Sequence, residues 1–337
     1  MNNEAKPIFF ISPTKSTPEI KRSIDEYLAN WLAIHSSSKP KLLFHYTSLE
    51  GLKGILQNRS IWFSHINTLN DPLELQYGKK LILDVINGFY KEEEDGRIKL
   101  IFKNLIDLIK GFGEVMYHGY VACFCEEENL LSQWRSYAAM GGGYNLGILF
   151  NSGTKFVLNQ DDLSKDSFII LRKVIYDPEQ QKNIVNDYIA KIISGARQAM
   201  IRWNDQEEEI PPAWEPQVAI ESVNLLFDIM FCFKNEVFKE EKEWRLIKAN
   251  PLNENSELLN FRVRNENLIP YFNFFIFDNS KEAPVFPVKK IKFGPSLEAI
   301  ITKKSLELFL ESMSKKSHQI NLDYKSVQIS GAGFSIR

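Results

Sequence analysis

The segment Glu241-Lys242-Glu243-Trp244-Arg245 concentrates ionisable chemistry in five residues. If it enters a strand in extended form, alternation puts Glu241, Glu243 and Arg245 on one face and Lys242 and Trp244 on the other. Two carboxylates beside a guanidinium form a constellation suited to chemistry. If the segment is helical instead, Glu241 and Arg245 are an i, i+4 surface pair worth roughly a few tenths of a kcal/mol. The local pattern leaves both readings open. A second group lies earlier: His45-Tyr46, Ser64, the turn residues Asn70-Asp71-Pro72, and Glu74. Asp228 followed by Glu240-Glu241-Lys242 also imitates a D…E-x-K arrangement, in which carboxylates hold a divalent ion and a lysine assists the attacking water.

Positioning the early group falls to residues 42–74. Leu42, Leu43 and Phe44 read as a short strand ending in His45-Tyr46, and Thr47-Ser48 offer a hydroxyl cap to the helical pattern Leu49, Leu52, Ile55, Leu56. Ile61-Trp62-Phe63 reads as a second strand ending at Ser64, with a turn at Asn70-Asp71-Pro72. This order predicts that His45, Tyr46, Ser64, Asp71 and Glu74 gather at one rim.

The remaining elements follow from periodicity. A loose arm over 1–16 leads to a helix opened by Thr17-Pro18. Two helical patterns fill 78–113, a buried strand covers 120–125, and a helix over 130–139 places Trp134 and Tyr137 on one face, as core stripe or as rings for stacking. Strands are expected at 144–150 and 168–176, then a helix opened by Asp177-Pro178 and an apolar helix over 218–238. The interval 203–214, with three glutamates and Pro211-Pro212, reads as the longest loop or a boundary. Strands near 259–261, 272–277 and 288–293, a helix capped by Gly294-Pro295-Ser296 and a strand at 327–329 complete the chain. The predicted class is α+β. An N-terminal arm and helix over 1–40 precede one elaborated domain over 41–337, built on a split, mostly antiparallel sheet. Helical insertions fall near 78–115 and 178–238.

Composition narrows the partners. The 337 residues, 44% hydrophobic and 25% charged, suffice for a sizeable core. A net charge of -2 argues against nucleic-acid affinity resting mainly on phosphate neutralisation. Three cysteines are too few and wrongly spaced for a disulfide framework or a zinc knuckle, which fits a reducing cytoplasm. The start lacks a signal-peptide pattern and no run approaches the ~18 apolar residues of a membrane span, so a soluble chain without a membrane partner is expected.

Taken together, the motifs F-H-Y-T-S, I-W-F-S, N-D-P-x-E, C-F-C, S-x-W-x-x-Y-A, E-x-E-W-R and I-K-F-G-P over about 42–295 resemble a bacterial family catalogued as domain of unknown function 2971. Cys125 departs from that pattern, where serine is commoner. A weaker resemblance, to the ADP-ribosyltransferase fold, rests on a His-Tyr ending a first strand, a Ser ending a second and a Glu-x-Glu opening a later one. It implies that NAD is the substrate, that His45 orients the nicotinamide-side ribose, that Ser64 supports the site, and that Glu243 acts at the reacting sugar with Glu241 activating an acceptor. It further implies Arg245 as a pyrophosphate contact and Tyr46, Trp134 or Tyr137 as ring-stacking residues. Asn70, Asp71 and Glu74 would hold the loop over the site, and no metal is required. The acceptor stays open among protein, nucleic acid, small molecule and water. A toxin or phage-defence effector, with an antitoxin-like partner, suits such an activity. The alternatives are a metal-dependent nuclease and a non-catalytic nucleotide-sensing domain.

Overall fold

The computed structural model describes residues 17–37, 42–69, 73–111, 117–165, 167, 169–251, 256–264 and 266–333. The expected arm over 1–16 and the turn residues Asn70, Asp71 and Pro72 lie outside them. Helix α1 covers Pro18–Ser37 and strand β1 Leu42–Thr47. Ser48 caps α2 (Leu49–Asn58) by accepting the Gly51 amide at 3.2 Å, and Arg59, at φ 56°, turns the chain into β2 (Ser60–His65). Helices α3 (Glu74–Glu92) and α4 (Gly96–Lys110) lead to β3 (Tyr117–Cys125), a short α5 (Leu131–Tyr137) and β4 (Tyr144–Leu149). Strands β5 (Thr154–Val157) and β6 (Ile170–Lys173) precede α6 (Pro178–Asp205) and α7 (Trp214–Phe231). A 3-10 turn at Glu236–Glu241 opens into β7 (Glu243–Pro251). The last elements are β8 (Asn260–Arg264), β9 (Asn267–Asp278), β10 (Val288–Phe293), α8 (Ala299–Ser314) and β11 (Gln328–Gly331).

The strands form one open, mostly antiparallel sheet, in which β10 and β11 run parallel. Strand β7 follows one edge of β3 from Tyr117↔Pro251 to Cys125↔Glu243. The opposite edge of β3 is shared. Phe44 of β1 pairs with Cys125, whereas Ser64 and His65 of β2 pair with Val121 and Tyr120. From there β1 continues to β4 and β10, and β2 to β9, which carries β8 and β5. The sheet therefore forks where β1 and β2 part from β3.

Each face has its own core. Helices α1, α3, α4, α6 and α7 cover the face of Val121 and Ile247. Helices α2 and α8 cover the other, which carries Ala122, Phe124, Trp244 and Leu246. Gly119 permits the helical layer's close approach, since a Cβ there would stand 2.4 Å from the Phe231 ring.

Several boundaries differ from the sequence reading. The strand expected over 168–176 is only Ile170–Lys173, because the Val174 amide donates to the Glu243 carbonyl and Ile175 bridges to Phe233. The 203–214 interval is a turn between α6 and α7, with the Trp203 and Trp214 rings edge-on at 5.2 Å. Helix α7 stops at Phe231 rather than near 238. The cap of α8 is Glu298, whose carboxylate accepts the Ile300 and Ile301 amides, rather than Gly294-Pro295-Ser296.

Candidate functional site

Lys242 adopts left-handed backbone, φ 45° and ψ 49°, and this kink separates the two glutamates of the Glu-x-Glu motif. Glu243 opens β7 opposite Cys125, and Arg245 lies opposite Cys123, so both share the helix-covered face. Glu241 closes the preceding turn instead of belonging to the strand. The extended reading therefore holds for Glu243 and Arg245, and Glu241 joins them by another route.

That route is Lys234, just beyond the end of α7. Its Nζ lies 2.6 Å from Glu241 Oε2, 2.8 Å from Glu243 Oε2 and 3.3 Å from Glu74 Oε2. Arg245 grips Glu243 through Nε at 2.8 Å and Nη2 at 3.0 Å, and Nη2 also pairs with Glu74. Its Nη1 donates to the Phe231 carbonyl at 2.7 Å, at the negative end of α7, while Glu74 sits in the first turn of α3, where the helix dipole favours a carboxylate. Tyr137 donates to Glu241 Oε1 at 3.2 Å, and the Tyr176 hydroxyl accepts the Glu243 amide at 3.0 Å. Three carboxylates thus face two cations, leaving one formal negative charge in a site whose members are almost all buried.

The surplus charge falls unequally. Burial alone would raise Glu243, but the Arg245 guanidinium and Lys234 ammonium outweigh it and hold its carboxyl well below the usual range. For Glu241 burial wins: its carboxyl is raised despite Lys234, and Glu243 pushes the same way. Glu241 is also the most accessible carboxylate, with 17% of its side chain exposed against 6% for Glu243. Lys234 is raised, because Glu243 and Glu74 overcome the burial that would lower it. The Cys123 thiol is raised by burial and then by Glu243. Arranged so, the cluster can keep one carboxylate ionised and present the other as a proton acceptor or donor.

Of the residues singled out from sequence, the structure brings together Glu74, Tyr137, Glu241, Glu243 and Arg245. It does not bring the others to them. His45 lies on the opposite face: its ring meets Phe124 at 5.5 Å between centroids, and its neighbour Phe44 is the one aligned with Cys125 and Glu243. At the fork, His45 Nδ1 donates to the Cys123 carbonyl at 2.9 Å, and burial lowers its pKa. Tyr46 and Trp134 meet edge-on at 5.0 Å in a small apolar core, with hydrogen bonds to the Glu127 carbonyl and Asn129 respectively, so each ring is packed against the other. Ser64 accepts from Arg262 at 3.0 Å. Asp228, the carboxylate of the D…E-x-K pattern, is held by Arg172 at 2.9 Å and by Trp31 at 3.1 Å. Glu241 is bound elsewhere, to Lys234, so the pattern's members do not share a centre.

Sequence reasoning missed Lys234, Tyr176 and Arg262. Lys234 left a trace: it directly follows the apolar run Ile229–Phe233, where a cation has to find buried partners. Among the described residues, no helix is long and apolar enough to cross a membrane.

A family model described as a protein of unknown function (DUF2971) matches residues 133–246, a stretch from within α5 to the middle of β7, and supports kinship with that family there. No curated protein and no solved structure matches the chain.

Proposed function

We propose that this chain breaks the N-glycosidic bond of NAD and passes ADP-ribose to an acceptor or to water. The observation that carries the reading is the opposite displacement of two carboxylates that share one lysine, Glu243 downward and Glu241 upward. As the bond from C1′ to the nicotinamide nitrogen breaks, its electron pair leaves with neutral nicotinamide and positive charge grows on the ribose. A carboxylate fixed in its ionised form favours that transition state over the ground state. The acceptor hydroxyl then bonds to C1′ and loses its proton. Glu241, more exposed and the better base of the two, takes that proton. Lys234 holds both glutamates in place, and Glu74 anchors Lys234 and Arg245 in turn.

The test is nicotinamide release from NAD by the purified protein in chelator, alone and with cell lysate. Glu243→Gln and Glu241→Gln, confirmed to be folded, should each abolish release. Release unchanged in both variants, or absent from the wild type under both conditions, would refute the reading. His45→Ala reports separately on the fork. Retained release in that variant would remove His45 from the catalytic set.

A second reading, a non-catalytic nucleotide-binding domain, is favoured by one observation: Glu243 and Arg245 satisfy each other without a ligand. NAD binding without turnover, unaffected by Glu243→Gln, would support it.

A further inference from the structure

A cationic patch on β2, β8 and β9 is unused by the chemistry above. Arg262 reaches across from β8, donating through Nη2 to Ser64 Oγ, and its guanidinium carbon lies 5.5 Å from the Trp62 ring centroid. Trp62 rests against Tyr271 at 4.4 Å between centroids and is 42% exposed. Arg264, two residues on and therefore on the same face of β8, donates to the Thr68 carbonyl. One donor here is buried without a hydrogen-bond partner, Arg262 Nε. Among the described residues no carboxylate forms an ion pair with Arg262, and both burial and Arg264 press its pKa down. A guanidinium in that state costs free energy until an anion meets it.

We propose that Arg262, Arg264 and Ser64 bind a diphosphate, with Trp62 and Tyr271 stacking on the aromatic base that carries it. This identifies an adenosine-diphosphate half-site, which rests on the reading above for the rest of the ligand. Guanidinium forks suit phosphate oxygens, and an open indole suits a base. The net charge of -2 favours a small nucleotide over a nucleic-acid strand.

Calorimetric titration of the full chain with ADP, pyrophosphate and adenosine tests this without turnover. ADP should bind best and pyrophosphate measurably. Arg262→Gln, which keeps donors for Ser64, should weaken both about tenfold to a hundredfold. Trp62→Ala should weaken ADP and leave pyrophosphate unchanged. Glu243→Gln should bind ADP like wild type even where nicotinamide release is lost, which separates failure of the half-site from failure of the cleavage reading. Absence of ADP and pyrophosphate binding, or binding unchanged in Arg262→Gln, would overturn the assignment.

Discussion

Arg245 and Arg262 are the same side chain in opposite circumstances. Arg245 is 1% exposed, and Glu243, Glu74 and the Phe231 carbonyl occupy its guanidinium. Arg262 has a serine, a tryptophan face and one buried N–H without a partner. A guanidinium already saturated by carboxylates fixes architecture; one that lacks an anion is prepared for a ligand. The motif E-x-E-W-R therefore draws attention to the one of these two arginines with less left to offer a pyrophosphate.

The largest effect expected from this contrast is on stability. Arg245→Met leaves two buried carboxylates to share Lys234 alone and should cost about 3–5 kcal/mol in urea unfolding. Arg262→Gln should stay within about 1 kcal/mol of wild type. Equal losses would erase the distinction. Next, Lys234→Met removes the shared cation but leaves Glu243 its arginine, so a loss of roughly 1.5–3 kcal/mol is expected.

The acid limb of stability sharpens the comparison within the cluster. Glu243 is depressed in the folded state, so its contribution is present above its unfolded pKa, about 4.3, and fades as pH falls through the lower folded value. Glu241 is raised, so its contribution has the opposite sign: it is present below the unfolded value and is lost as pH rises through the folded one. Glu243→Gln should therefore flatten the acid limb, whereas Glu241→Gln should cause no loss at pH 7. Unfolding midpoints between pH 3 and 7 would reverse the assignment if the two variants behaved the other way round. A smaller loss than at either cation is expected for Tyr137→Phe, which deletes one hydrogen bond to Glu241 and should cost about 0.5–1.5 kcal/mol in thermal unfolding.

Local patterns were legible where one element decides the outcome. Alternation in β7 put Glu243 and Arg245 on one face, and Asp177-Pro178 and Ser48 opened helices where their capping chemistry requires. What stayed hidden depends on joining distant segments. Nothing near His45 shows that β1 leaves β3 after Phe44 and turns the imidazole to the Phe124 side. The rim expected to hold Ser64 with Glu74 is divided the same way, since Ser64 answers to Arg262, almost two hundred residues along, and Glu74 to Arg245. Lys234 is unreadable as a hub because its carboxylates come from the following turn, the start of β7 and, far earlier in the chain, the first turn of α3. The kink at Lys242 breaks an alternation that periodicity alone would have continued.

The shared edge of β3 also constrains how the chain assembles. Residues 133–246 contain β4 without its neighbours β1 and β10, and they end partway along β7, whose partner β3 precedes them. The stretch that the family model matches therefore lacks strand partners that lie outside it. During synthesis β3 gains its full-length neighbour only once residue 251 is made. Pairings of such long sequence separation close slowly, so the nascent chain carries a waiting, half-covered strand through much of its own translation.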